Sequence, residues 1–238
     1  SLRCLVSSSA LLDSEIKLKL LKFLRCDFHE CYGTSEIAIA SNLTKEQGFI
    51  KTDSVGKPAP EVDIIIINEE NKILHSQEKG EICCKTPMAF SGYYKQPETT
   101  KNSYFGEYFK TGDIGYLDSD GYLYYSGRKK DIIITGGINI YPTDVEAIIK
   151  SHPAVEECIA IALPDPNLVE IIAVVLKIKK DIKIAKRELQ LLAATRLADY
   201  QQPMKYICVE QIPKNPMGKT DKKELLRRIT EEDYGEVL

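Results

Sequence analysis

The sequence predicts a multidomain α+β protein, and three observations predict it. Residues up to 31 read strand, helix, strand, the remnant of an α/β layer. From about residue 49 to 126 the signals change to short strands and turns, which suggests a small β-barrel-like subdomain. After residue 130 strands alternate with helices, as in a compact α+β C-terminal domain. The expected divisions are therefore 1–48, 49–129 and 130–238.

The elements follow in order. Leu2–Ser7 reads as a strand, and a strand already under way at Ser1 leads us to expect a fragment of something longer. Residues 13–25 show a helical period with Asp13 or Ser14 as cap and Ile16, Leu20, Phe23 and Leu24 on one face. Asp27–Cys31 is the next strand. Val62–Ile67 is a continuous apolar run closed by the polar turn Asn68–Lys72. Glu81–Lys85 follows Gly80, and Tyr122–Tyr125 follows the hairpin turn Asp-Ser-Asp-Gly at 118–121. Asp131–Thr135 and Asn139–Tyr141 flank Gly136-Gly137 as a hairpin, and Pro142 opens a helix carrying Val145, Ile148 and Ile149. Glu157–Leu163, Ile171–Ile178 and Tyr206–Glu210 read as strands, with a helix over 185–198. Asp221 caps a last helix with Leu225, Leu226 and Ile229 inward. There is no internal repeat.

Composition narrows the function. The hydrophobic fraction of 43% is that of a chain that buries a real core. A net charge of −3 argues against nucleic acid as a partner. The lysines at 177, 179, 180, 183 and 186 read as a solvated face. Seven cysteines without CxxC spacing suit neither a zinc site nor a disulfide framework, so a reducing cytoplasmic compartment is expected. No apolar run approaches the roughly 18 residues of a transmembrane segment. There is no Gly-x-Ser-x-Gly elbow and no HExxH, and His29, His75 and His152 are isolated.

Several short segments carry chemistry. Tyr32-Gly33-Thr34-Ser35-Glu36 offers an aromatic to stack on a base, a hydroxyl for a phosphate and a carboxylate for magnesium. Alone it also describes an ordinary polar turn. Thr111-Gly112-Asp113 puts a carboxylate after a Gly turn, where it can accept both hydroxyls of a ribose. Arg128 comes fifteen residues later, and one hairpin can return its guanidinium to Asp113. Gly218-Lys219-Thr220 ends like a P-loop, but Pro213 stands where that motif needs glycine, so a Walker site is rejected. A loop lysine at 219 can instead place its ammonium between a carboxylate and an α-phosphate as charge builds.

The order and spacing of these segments resemble the adenylate-forming superfamily, which includes acyl-CoA synthetases, adenylation domains of peptide synthetases and firefly luciferase. The resemblance extends to Gly127–Glu146, Pro213–Lys219, Gly80-Glu81-Ile82 and Ser91-Gly92-Tyr93-Tyr94, and so to essentially the whole chain. It implies attack of a fatty or aryl carboxylic acid on the α-phosphate of ATP, giving acyl-AMP, followed by thioester formation with coenzyme A. By this resemblance Ser8, Ser9 and Ala10 lie along the adenine, Tyr32 lies against its ring, and Ser35 reaches phosphate. Glu36 holds Mg2+, Asp113 and Arg128 bind the ribose of ATP or AMP, and Lys219 bridges the reacting groups. Lys130 falls at the hinge before a C-terminal lid domain, and Gly136 and Gly137 line the path of the pantetheine arm.

Some features depart from the family. Ser7–Leu12 reads SSSALL in place of Gly-Ala-Ala-Pro, Val169 stands where a glycine often precedes Glu170, and Ile134 replaces a lysine of plant coumarate ligases. The family's Ser/Thr/Gly-rich phosphate loop is not in this sequence. The part of the chain around Ile134 looks closer to fatty-acyl and related bacterial-type ligases. The expectation is an acyl-CoA ligase for a fatty or aryl acid as parent and an inactive isolated piece. The alternatives are an enzyme that loads a carrier-protein thiol and a non-catalytic adenylate-binding module.

Overall fold

The computed structural model describes residues 1–216, 218–231 and 234–238. It is mixed α+β and divides into two units, Ser1–Lys129 and Lys130–Leu238.

The first unit runs β1 (Cys4–Ser8), α1 (Ser14–Phe23), β2 (Asp27–Thr34), β3 (Ala38–Thr44), α2 (Lys45–Ile50) and β4 (Lys57–Pro58). It continues through β5 (Asp63–Ile67), β6 (Gly80–Lys85), α3 (Pro97–Asn102), β7 (Tyr104–Phe105), β8 (Tyr108–Leu117) and β9 (Leu123–Arg128). β1 to β4 form one sheet in that order, parallel between β1 and β2 and antiparallel thereafter. The second sheet, a half-barrel, is ordered β5-β6-β8-β7, with β9 also on β8. One core joins the two sheets: Ala40 of the first and Ile37 of its β2–β3 turn pack with Ile64, Ile66, Ile82, Cys84 and Phe109 of the second.

Asp13 caps α1, accepting from the backbone N–H groups of Glu15 and Ile16. The apolar stripe of α1 is not its most buried one. Lys17 and Leu21 are inward, whereas Ile16 is 50% and Phe23 83% exposed. The reason is electrostatic. Lys17 pairs with buried Glu30 at 2.5 Å and donates to the Ser54 carbonyl at 3.0 Å, so a charged residue occupies the inner stripe. Removing one partner of such a pair strands a buried charge, at about 3–5 kcal/mol.

The second unit contains β10 (Ile133–Thr135), β11 (Ile138–Ile140), α4 (Pro142–Lys150), β12 (Val155–Asp165), β13 (Val169–Ile178), α5 (Lys186–Arg196), β14 (Lys205–Cys208), α6 (Lys222–Glu231) and β15 (Glu236–Val237). The sheet order is β11-β10-β13-β14-β15, with β12 also on β13. Side chains alternate along a strand, and β13 uses both faces. Ile172, Val174 and Leu176 enter one core with Val145, Ile149 and Leu189. Ile171, Ala173 and Val175 enter another with Ile207 and Leu225. This explains why the sequence there is apolar without a break. Leu226, expected inward, is 37% exposed, because Leu225 alone takes the buried position at that turn of α6. No described helix is long and apolar enough to cross a membrane.

Candidate functional site

The parallel pair β1–β2 sets Ser8 opposite Cys31, so Ser8, Ser9 and Ala10 leave one strand end beside the end that carries Tyr32. Ligands of such layers gather at the carboxyl ends of parallel strands. All three residues are exposed, and Ser9 has φ 75°. At Tyr32/Gly33 the β2–β3 register shifts. A Cβ on Gly33 would lie 1.7 Å from the Ala38 carbonyl oxygen, so no side chain fits there. The turn Ser35–Ile37 follows, with Ser35 exposed.

Asp113 is the centre of this region. Thr111-Gly112-Asp113 is not the turn expected but a bulge inside β8. Glu81 of β6 pairs with Ile114 and Cys83 pairs with Lys110, while Gly112 takes φ 70°. The bulge re-aims Asp113, whose backbone N–H donates to Thr111 Oγ1 at 3.1 Å. Across the β8–β9 hairpin Arg128 is its direct register partner, with Nε 3.2 Å from Oδ1. Tyr32 donates its hydroxyl to Oδ2 at 3.0 Å. Asp113 is only 3% exposed. Desolvation, reinforced by the charge of Asp113, pushes the Tyr32 phenol well above its usual pKa, so it stays a donor.

Glu36 completes the group. Tyr93 donates to its Oε1 at 3.0 Å, and the Phe90 backbone N–H donates to its carbonyl at 2.7 Å. Phe90 and Tyr93 meet edge to face at 4.8 Å. Burial opposes ionisation of Glu36, but hydrogen bonding by Thr34, its own backbone N–H and Tyr93, with the charge of Arg128, lowers its pKa overall. A single ionised carboxylate of this kind fits a magnesium ion that takes most of its ligands from substrate phosphates and water. Among the described residues no group of three or more His, Cys, Asp or Glu side chains forms a fuller metal cage. Tyr93 and Thr34 are site residues to which the sequence reading gave no separate role.

The second unit holds the remaining candidates. Gly136 and Gly137, at φ 55° and 80°, make the two-residue turn between β10 and β11. The Gly136 N–H donates to the Leu168 carbonyl at 3.0 Å. Lys219 is exposed on a tight loop; its N–H donates to Asn215 Oδ1 at 3.1 Å and its carbonyl accepts from the Asn215 N–H at 2.7 Å. Met217 of the same loop lies outside the described residues. Lys130 is exposed within a single 3-10 turn, Lys129–Asp131.

Two family models match the chain: AMP-binding enzyme over residues 1–94 and AMP-binding enzyme C-terminal domain over 144–219. The chain belongs to the AMP-binding, adenylate-forming enzyme family. It is 36% identical to a long-chain-fatty-acid–CoA ligase of Bacillus subtilis over 98% of this chain and 42% of that protein. It superposes with a TM-score of 0.84 on the Bacillus subtilis o-succinylbenzoate CoA synthetase in complex with an acyl-adenylate intermediate, at 29% identity, over 98% of this chain and 47% of that one. An amide bond synthetase from Marinactinospora thermotolerans gives 0.87 at 29% identity, over 94% and 46%. The chain thus spans less than half the length of these relatives.

Proposed function

We propose that this chain is part of an ATP-dependent acid–thiol ligase, an acyl-CoA synthetase acting on a fatty or aryl carboxylic acid. The observation that supports it best is Asp113, held between Tyr32 and Arg128 with Glu36 joined to the same group. In the first step a carboxylate oxygen bonds to the α-phosphorus of ATP and pyrophosphate leaves. In the second the thiol sulfur of coenzyme A bonds to the acyl carbon and AMP leaves. Asp113 and Arg128 hold the ribose hydroxyls, Tyr32 faces the base from beside Ser8, Ser9 and Ala10, and Ser35 meets phosphate. Glu36 holds magnesium, which neutralises charge on the phosphates. Lys219 stabilises negative charge as the carboxylate meets the α-phosphate. The Gly136-Gly137 turn gives the pantetheine arm close access to backbone. Rotation at Lys130 alternates the two arrangements, so that one site serves both steps. A cytoplasmic setting suits cysteines among which the structure has no disulfide in the described residues.

The 238-residue chain alone is proposed not to form adenylates, since its relatives are about twice as long. The test is pyrophosphate release by a version extended to the length of those relatives, across a panel of carboxylates, with and without CoA. Release specific to one acid class, turning over only with CoA, is the expected result. Turnover that needs a carrier-protein thiol would replace the acceptor. Nucleotide binding without release for any acid would favour a non-catalytic module. Pyrophosphate release by the 238-residue chain alone would overturn the proposal for the fragment.

A further inference from the structure

The residues on either side of Lys130 are each tied to a different unit. Lys129 Nζ lies 2.7 Å from Glu81 Oε2, and Glu81 is 8% exposed. The other oxygen of Glu81 accepts the Gly112 N–H at 3.3 Å, within the bulge that presents Asp113. On the far side, Asp131 Oδ2 lies 3.1 Å from Lys222 Nζ. Lys222 opens α6 three residues after Lys219, and the intervening Asp221 N–H donates to the Pro213 carbonyl at 2.9 Å. The first pair lies wholly in the unit ending at Lys129, the second wholly in the unit beginning at Lys130.

We infer that Glu81 and Lys222 are positioning residues that clamp the two chain neighbours of Lys130, so that rotation between the half-reactions is confined to that one residue. The inference rests on the two-step ligase reading above. Its physical basis is that a hinge needs only a few residues to absorb a change in φ and ψ, provided their neighbours are held. Glu81 does this with a carboxylate fixed on its other oxygen by the Gly112 N–H, while Lys129 stays about half exposed. Each clamp also reaches a site segment: Glu81 touches the Asp113 bulge, and Lys222 begins the helix after the Lys219 loop. The pivot is therefore anchored to the groups it has to exchange.

Two measurements test this. Hydrogen exchange on the 238-residue chain reads the amides of 127–133 in wild type, Glu81→Gln and Lys222→Met. Each variant is expected to speed exchange beside Lys130 by about threefold to fivefold, the scale of a partly exposed ion pair, with the melting temperature unchanged. In the extended enzyme, acid-dependent pyrophosphate release and thioester formation from preformed acyl-adenylate are timed separately. The ratio of the two rates is expected to shift, while the charge-reversed pair Asp131→Lys with Lys222→Asp restores it. Unchanged exchange, an equal fall in both half-reactions, or no rescue by reversal would overturn the clamps. A wild-type extended enzyme that performs neither half-reaction would instead overturn the ligase reading, and the exchange experiment would still decide the clamps.

Discussion

Asp113 and Arg128 are register partners across the β8–β9 hairpin, and the guanidinium Nε lies 3.2 Å from a carboxylate that is 5% exposed. Tyr32 closes the other side of that carboxylate. The group is thus ordered by its own contacts, and in the proposed reading this lowers the cost of ordering it when a nucleotide binds.

Asp113→Asn keeps the shape of the side chain and removes its charge. Hydrogen bonds to charged groups contribute about 1.5–3 kcal/mol and neutral ones about 0.5–1.5 kcal/mol. Calorimetric titration with AMP should therefore show a loss of about tenfold or more for Asp113→Asn and a smaller loss for Tyr32→Phe. Equal losses would refute this division of roles.

Glu36 is held below the usual carboxylate range, so its stabilising contribution is present above pH 4.5 and is lost as pH falls through its folded value. Tyr93→Phe deletes one donor to Glu36. An NMR titration of the Glu36 carboxyl should find its midpoint moved up toward the ordinary value, and an unmoved midpoint would mean that the Tyr93 hydrogen bond does not matter.

Glu146, on α4, is shifted the other way. Burial raises its pKa above 4.5, against the hydrogen bond from the Ala160 N–H at 2.9 Å and the charge of Lys222. An acid whose folded pKa lies above its unfolded one binds more protons when folded. Stability therefore falls as pH rises from 4.5 through the folded value. Glu146→Gln retains an acceptor and has no charge to desolvate. Urea unfolding should show the variant more stable than wild type at pH 8 and the difference shrinking at pH 4; a constant difference would refute the assignment.

Val169 sits at φ 71°, a left-handed conformation that a β-branched residue adopts only under strain, and is 68% exposed. Glycine removes that strain and gives up little packing. Val169→Gly is expected to stabilise the second unit by about 1 kcal/mol, read as a higher denaturation midpoint. A lower midpoint would show that the backbone there is not strained.

The sequence made some of this legible and hid the rest for physical reasons. The Asp113–Arg128 pairing was readable because the turn at 118–121 folds locally: Asp118 Oδ1 accepts the N–H groups of Asp120 and Tyr122. The Gly136-Gly137 hairpin was readable because both positions need positive φ. The role of Tyr93 is not legible in its motif, because its hydroxyl reaches Glu36 across fifty-seven residues. The period of α1 marks an apolar stripe without saying which stripe is buried, and the paired Lys17 takes the inner one. Helix α2 is too short to show a period, and its one sequence signal is the capping box of Thr44 and Gln47.

A consequence of β13 concerns cooperativity. Because Ile172, Val174 and Leu176 fill one core while Ile171, Ala173 and Val175 fill the other, neither layer of the second unit can melt without loosening the strand that backs both. The helices α4 and α6, on separate cores, should therefore open together as one foldon. Whatever holds the Lys219 loop in place then shares its thermodynamic fate with the helix that follows the Gly136-Gly137 turn.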